Sequence, residues 1–188
     1  MSLVAATLTA FEGAPLPDAV RRAAVHLLVS GARRSLVGAP ANASAQFARE
    51  MEARPIAEHT QAANDQHYEL PAAFFEAVLG PNLKYSCGLY GEGVTSLADA
   101  EEKALAETAA HAGLADGQQI LELGCGWGSL SLWMARALPN ARITSVSNSA
   151  SQGDYIRAKA EAQGLTNLTV LTADMNDFEA QGGFDRIV

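Results

Sequence analysis

A run of alternating glycines directly follows an apolar stretch and is the clearest chemical signal in the chain. Residues 120–123 read Ile-Leu-Glu-Leu, and Gly124, Gly126 and Gly128 follow at every second position. Glycines at such a turn let the backbone bend tightly and approach a ligand without an intervening Cβ. Glu122 adds a charge at the end of a buried strand, where it needs a partner. The pattern predicts a ligand-binding turn between a strand and a helix.

The glycine spacing distinguishes between nucleotide ligands. The dinucleotide fingerprint is GxGxxG, with a pyrophosphate at the helix N-terminus, whereas this chain has GxGxG. S-adenosylmethionine (SAM) has no phosphate, but its methionine carboxylate can meet the positive end of a helix dipole. Asn148 and Gln152 stand where many dinucleotide folds place a ribose-binding carboxylate, and neutral amides can bond the same hydroxyls. The sequence favours SAM and makes a nicotinamide dehydrogenase a remote alternative.

Strand and helix patterns alternate around this turn. The predicted elements are strands 119–123, 142–146 and 168–172, helices 129–137 and 151–162, and a fourth strand that begins at Phe184. Such alternation predicts an α/β fold in which a parallel sheet carries helices on both faces. We expect the strand order 3-2-1-4. Because the chain ends inside the fourth strand, we also expect a sheet that is truncated there.

Capping signals place two of the helices. Ser96 with Asp99, and Ser151 with Asp154, have the spacing of capping boxes. Gly164 follows the second of these helices at the position where a left-handed residue commonly ends a helix. These signals predict helix starts at Ser96 and at Ser151.

Residues 1–63 are predicted to be an N-terminal helical appendage or lid, and residues 64–188 the ligand-binding domain. Residues 17–37 have apolar positions at helical spacing, but their four arginines exclude a membrane span. The favoured interpretation is a solvated helix on the main domain, and the alternative is a transient membrane-surface contact. Breaks are expected at Pro40 and Pro55.

Composition narrows the function classes. Of 188 residues, 48% are hydrophobic and 18% charged, as in a soluble globular protein. A net charge of -8 argues against a nucleic-acid partner, because phosphate binding requires a basic face. Cys87 and Cys125 lie far apart without nearby histidine or cysteine ligands, which suggests neither a metal site nor a disulfide framework. Together with the absence of a signal-peptide pattern, this predicts a cytoplasmic protein.

Four motifs in order give a specific resemblance. They are HYELP at 67–71, KYSC at 84–87, LELGCGWG at 121–128, and Asn148-Ser149 with Gln152. The run from 64 to 188 resembles the cyclopropane fatty acid synthases and the related coclaurine-type N-methyltransferases. This resemblance implies a Rossmann-like class I methyltransferase fold, with SAM as methyl donor.

The resemblance also implies the binding residues. Tyr85 and Ser86 would touch SAM from the preceding segment, and Ser147, Asn148 and Gln152 would hold its ribose. Asp174 and Met175 would flank the adenine. The methionine end would be held within residues 120–128, where the sites are Glu122, Gly124, Cys125, Gly126 and Gly128.

The catalytic residues are not identified from the sequence. His67 and Cys87 are possible contributors, although packing roles explain them about as well. In the synthases the cysteine that matches Cys87 lies beside a bicarbonate site, which would make bicarbonate a further cofactor if this is a cyclopropane synthase. Cys125 is interpreted as a buried filler more readily than as a nucleophile.

Three functions remain open. The first is methyl transfer to a small amine or lipid acceptor. Within it the coclaurine-like N-methyltransferase branch is slightly favoured, because residues 126–130 and Asn148-Ser149 resemble that branch more closely. Cyclopropane formation on unsaturated phospholipid chains is the runner-up, and a SAM-binding module without catalysis is the alternative of another class. Either reaction needs a general base. In the family that region follows the fourth strand, so we expect the 188 residues alone to be inactive. The oligomeric state is not predicted.

Overall fold

A computed structural model describes residue 11 and residues 13–60, 62 and 70–188. The chain divides into two compact units, Met1–Arg54 and Pro55–Val188. The predicted boundary lay between residues 63 and 64. The role of the N-terminal part as a lid stays a prediction, and His67 lies outside the described residues.

The first unit contains two described helices, α1 (Asp18–Val37) and α2 (Ala43–Met51). Pro17 precedes α1, where its fixed φ suits a helix start, and Gly38 ends it by donating its amide to the Arg34 carbonyl. Every residue of both helices is at least partly exposed to solvent. Among the residues that the structure describes, no helix is long and apolar enough to cross a membrane.

The second unit is built on a parallel sheet. Its elements are α3 (Ala72–Val78), α4 (Leu97–His111), β1 (Gln119–Leu123), α5 (Ser129–Ala137), β2 (Arg142–Ser147), α6 (Ala150–Ala162), β3 (Leu168–Thr172) and β4 (Arg186–Ile187). The strand order is β3-β2-β1-β4, and every pairing is parallel. The predicted α/β class and strand order are confirmed, and the fourth strand begins at Arg186 instead of Phe184.

Helices α5 and α6 cover one face of this sheet. Ile120 and Ile143, paired across β1 and β2, pack against Met134 of α5. Ile156 of α6 packs with Val170 of β3 in a neighbouring cluster. Burial of these aliphatic side chains supplies the main driving force for docking both helices. The packing of α5 and α6 therefore fixes β1 and β2 in position. The carboxyl ends of these two strands lie at the same edge of the sheet.

The capping signals were right for one helix and wrong for the other. The Ser96 Oγ accepts from the Asp99 amide at 3.1 Å, as predicted for the start of α4. At α6 the N-cap is Ser149, whose Oγ accepts from the Gln152 amide, so the predicted Ser151 cap is incorrect. Ser149 is the last residue with extended backbone, and only such a residue can turn its side chain back onto the first turn.

Strand β3 lies at an edge of the sheet. The Asn167 carbonyl accepts from Ile143, and the Ala173 amide donates to Ser147. Since backbone direction alternates along a strand, the Val170 carbonyl points away from β2. It accepts instead from Nη1 of Arg157 at 3.0 Å. Asp154 in turn holds the Arg157 guanidinium at 2.8 Å.

Candidate ligand-binding site

The three glycines after β1 all adopt positive φ, at 82°, 52° and 80°. The amides of Gly124 and Cys125 both donate to the Val146 carbonyl, which ties the turn to the end of β2. A Cβ built on Gly124 or Gly126 would meet nothing within 4 Å, whereas one on Gly128 would lie 2.6 Å from Cγ1 of Ile156. The first two glycines therefore open onto a space, and Gly128 instead permits close packing of α6.

Two adjoining cavities lie over this turn, with volumes of about 330 and 200 Å3. Gly124, Gly126 and Gln152 line both of them. The larger cavity is also lined by Tyr85, Ser86, Glu122, Cys125, Trp127 and Ser129. The smaller one is also lined by Ala57, Thr60, Val146, Ser147, Asn148 and Met175. Most of the predicted binding residues are thus brought together at the carboxyl edge of the sheet.

Three described residues from the sequence prediction lie outside both cavity linings. Gly128 packs against Ile156, and Cys87 is exposed. The Asp174 carboxylate lies beside Thr60, whose hydroxyl donates to its Oδ2 at 2.9 Å. Hydrogen bonds from the backbone of Asn176 and from Thr60 hold the pKa of Asp174 below its ordinary value. Asp174 therefore contributes to the wall of the smaller cavity through Thr60.

Glu122 is buried, and within the described part of the chain its carboxyl group is hydrogen-bonded by two hydroxyls and paired with no cation. Its Oε2 accepts from the hydroxyls of Ser131 at 2.5 Å and Ser145 at 2.7 Å. The sheet register sets Ser145 directly beside Glu122 on the neighbouring strand. Burial raises the pKa of Glu122, and the two serine hydrogen bonds only partly oppose that effect. The sequence predicted that the Glu122 carboxyl group needs a partner, and its partners are the hydroxyls of Ser131 and Ser145.

Two buried polar atoms beside the larger cavity have no hydrogen-bond partner. They are Nε1 of Trp127 and Oγ of Ser129. Ser129 is the first residue of α5, whose N-cap residue Gly128 provides no side-chain cap. Helix N-termini attract carboxylates and other anions, and buried donors without partners are costly. The site therefore fits a ligand that has a carboxylate at one end.

The smaller cavity has an ordered polar wall. The Ser147 hydroxyl donates to Oε1 of Gln152 at 2.8 Å, and the Ser149 amide donates to Oγ of Ser147 at 3.1 Å. Ser147 and Gln152 are both buried. These bonds fix the end of β2 against the first turn of α6, beside Asn148. The wall can present hydroxyl and amide groups to a polar ligand.

The segment that carries Tyr85 and Ser86 is held by Glu101, which the sequence analysis missed. Glu101 is buried in α4, and its Oε2 accepts from the Asn82 amide at 2.9 Å. A Cβ on Gly80 would lie only 2.5 Å from the Glu101 carboxylate. The available signal was the helical spacing of Glu101 with the buried Leu105 and Ala109, which placed an acidic residue on an apolar face.

The two cysteines lie in different environments, Cys125 buried and Cys87 exposed. Burial, together with the nearby Glu122 carboxylate, raises the pKa of Cys125 to about 12. Only the thiolate of a cysteine is nucleophilic, so burial argues against a nucleophilic role for Cys125. Its packing with Leu132 and Ile156 agrees with the interpretation as a filler. Cys87 is exposed, next to the segment that lines the cavity.

Known proteins resemble this chain in sequence and in fold. Residues 57–188 match the mycolic acid cyclopropane synthetase family. The chain is 39% identical over 125 residues to (S)-tetrahydroprotoberberine N-methyltransferase of Eschscholzia californica, over 66% of this chain and 36% of that protein. A structure of coclaurine N-methyltransferase bound to N-methylheliamine and SAH (S-adenosylhomocysteine) superposes with a TM-score of 0.73, at 35% identity, over 83% of this chain and 47% of that one.

A second structural neighbour agrees in fold. A mycolic acid cyclopropane synthase complexed with SAH and CTAB superposes with a TM-score of 0.61 at 24% identity, over 70% of this chain and 45% of that one. The Rossmann-like methyltransferase fold predicted from the motifs is confirmed. The chain spans a little over a third of the length of the curated relatives named here. Because the family match extends over residues 57–188, this chain belongs to the mycolic acid cyclopropane synthetase family.

Proposed function

We propose that this chain forms the SAM-binding part of a methyltransferase that acts on a small amine. One observation supports this most strongly. The turn at Gly124 and Gly126 opens onto a cavity at the carboxyl edge of a parallel sheet, where two buried donors lack partners. Ligands of open α/β sheets bind at this edge. The relatives named above are N-methyltransferases, and the solved neighbours contain SAH.

Different lining residues can bind different parts of SAM. The first turn of α5, with Ser129, would hold the methionine carboxylate, and Gly124 and Gly126 would allow close backbone approach. Asn148 and Gln152 would bond the ribose hydroxyls, with Ser147 keeping Gln152 in place. The remaining residues proposed to contact SAM are Tyr85, Ser86, Glu122 and Cys125 at the methionine end, and Asp174 and Met175 at the adenine.

The chain contributes binding and orientation to the reaction. SAM supplies an electrophilic methyl group whose transfer moves positive charge from sulfur to the acceptor. Such a displacement gains from correct orientation and from exclusion of water. Trp127, packed against Phe75 and Tyr155, makes one wall of the larger cavity rigid and apolar. Glu122 places a carboxyl group in that lining without an opposing cation.

An amine acceptor also requires a base to free its lone pair. His67 and Cys87 remain proposed contributors, and Cys87 is accessible beside the segment that carries Tyr85 and Ser86. The N-methyltransferases among the relatives support the amine. The two free thiols support a reducing compartment such as the cytoplasm.

The second proposed function is cyclopropane formation on an unsaturated phospholipid chain, with bicarbonate as a further cofactor. The family match and a fatty acid methyltransferase relative from Mycobacterium tuberculosis, at 32% identity, support it. A lipid acceptor would bring the protein to a membrane surface, and the arginines of α1 supply positive charge for such a contact. A SAM-binding module without catalysis is the third possibility.

One measurement tests the SAM site that these functions share, and a second separates the functions. The first is a calorimetric titration of the chain with SAH, in which Gly126→Val should abolish binding because its side chain would enter the open space above the turn. Unchanged affinity in that variant would refute the site. The second is incubation of the natural full-length protein with labelled SAM, amines and unsaturated phospholipids. Labelled amine supports the first function, loss of the alkene signal supports the second, and binding without turnover supports the third.

A further inference from the structure

Residues 57–60, which we call the strap, are attached at two points to the loop after β3. The Ala57 amide donates to Oδ1 of Asn176 at 3.1 Å, and Nδ2 of Asn176 donates back to the Ala57 carbonyl at 3.0 Å. At the other end, Thr60 Oγ1 donates to Oδ2 of Asp174 at 2.9 Å. The side chain of Asn176 therefore pairs with the strap backbone as a neighbouring strand would.

The loop after β3 is held in place by its own hydrogen bonds. Oδ1 of Asp174 accepts from both the backbone amide and Nδ2 of Asn176, each at 2.8 Å. Nδ2 of Asn176 thus donates both to the Ala57 carbonyl and to Oδ1 of Asp174. Because the Asn176 side chain joins strap and loop, its loss would remove both hydrogen bonds to Ala57 and leave the contact between Thr60 and Asp174.

The strap contains one residue with a positive φ. His59 has a φ of 56°, in the left-handed region that few residues other than glycine occupy. A residue with such backbone strain persists where the surrounding structure over-determines it. Here the attachments at Ala57 and Thr60 stand on either side of His59. The backbone strain therefore indicates that the strap is positioned by its contacts.

Ala57 and Thr60 line the smaller cavity together with Gly126, Asn148 and Met175. We propose that Asn176 and Thr60 are positioning residues that hold the strap as a wall over the nucleoside end of SAM, so that strap release controls ligand exit. This inference rests on the proposed SAM site. It predicts that weakening the attachments accelerates dissociation of SAH and leaves its association rate nearly unchanged, because the other cavity walls stay in place.

The test is stopped-flow measurement of SAH association and dissociation with the whole chain. Asn176→Ala and Thr60→Val should each raise the dissociation rate about tenfold, the effect of losing one to two hydrogen bonds. Thr60→Ser keeps the hydroxyl and should restore the original rate. Asn140→Ala is a matched control, since Asn140 forms a similar pair with Asp116 away from both cavities. It should leave SAH dissociation unchanged.

Limited proteolysis gives a second readout. Glu58 lies exposed in the strap, so a glutamate-specific protease can report strap release. SAH should protect this site in the unaltered chain and protect it less in Asn176→Ala. Unchanged dissociation and cleavage in that variant would overturn the strap proposal while the SAM site stands. Failure of the unaltered chain to bind SAH would overturn the SAM site, and the strap proposal with it.

Discussion

Gly128 and Ile156 lie so close that only a residue without a side chain fits between the glycine turn and α6. A Cβ on Gly128 would lie 2.6 Å from Cγ1 of Ile156 and 3.1 Å from its Cδ1. Ile156 is fully buried, so it has little room to move aside. The three glycines of the motif therefore have two different physical roles.

We expect Gly128→Ala to destabilise the fold by about 2–4 kcal/mol, because it combines overpacking with an unfavourable positive φ. Gly124→Ala should cost only about 1 kcal/mol of backbone strain but should weaken SAH binding, since its Cβ points into open space. Gly117→Ala is the matched control, with the same φ of 82° and a position outside both cavities. Urea unfolding and SAH titration measure these effects. Equal stability losses for Gly128→Ala and Gly117→Ala would contradict the packing role.

The pH dependence of stability should reveal the buried Glu122 carboxyl. Its pKa is raised in the folded state, above the ordinary value of 4.5, so the native protein binds more protons there than the unfolded chain. The loss of stability caused by this carboxyl group is absent below pH 4.5 and grows as the pH rises through the pKa of Glu122 in the folded state. Glu122→Gln keeps an acceptor for Ser131 and Ser145 but cannot ionise. We expect the variant to gain stability relative to the unaltered chain over that rise, as followed by urea unfolding. Parallel pH curves would contradict this prediction.

Thiol labelling should distinguish the two cysteines. At pH 8 the fraction of Cys125 present as thiolate is about 10⁻⁴ from its pKa of about 12, and its side chain is buried. Iodoacetamide should therefore label only Cys87 in the folded chain, and mass spectrometry of tryptic peptides would locate the label. Cys87→Ser should give an unlabelled native protein that becomes labelled in urea. Rapid labelling of Cys125 without denaturant would show that the site opens.

A double-mutant cycle can test the contact between Gly80 and Glu101. Glu101→Ala should destabilise the fold by about 1–3 kcal/mol, because it leaves the Asn82 amide unsatisfied. Gly80→Ala should also destabilise it, since its Cβ would overlap the carboxylate. In the Glu101→Ala background that overlap disappears, so Gly80→Ala should then be much less costly. Urea unfolding of the four proteins measures the coupling, and additive losses would argue against this contact.

The central part of the fold follows directly from local sequence patterns. The predicted bounds of β1, α5 and β3 agree with the structure, because glycine turns or loop residues flank compact apolar runs. The start of α6 was misplaced because Ser149 and Ser151 both have capping chemistry. Only the backbone conformation, extended at Ser149, decides between them.

The candidate site was partly predictable for a topological reason. Gly124 and Asn148 follow adjacent strands, and the carboxyl ends of parallel strands meet at one edge. The contact from Thr60 to Asp174 spans 114 positions and depends on the tertiary fold. No periodicity or local motif encodes such a contact. Glu101 stands out in the sequence as an acidic residue on an apolar helix face, but no local pattern shows that its partner is the backbone amide of Asn82.

The contact between Arg157 and the Val170 carbonyl has a consequence for behaviour at high concentration. An edge strand with free outward carbonyls is a template on which a second molecule can add its own strand. The guanidinium already occupies this acceptor, and Asp154 keeps it in place. An incoming strand would have to displace a charged group to pair there. Helix α6, which carries Arg157, thus also protects the sheet edge against self-association. The Arg157→Ala variant should aggregate at concentrations at which Arg136→Ala stays monodisperse, as measured by light scattering.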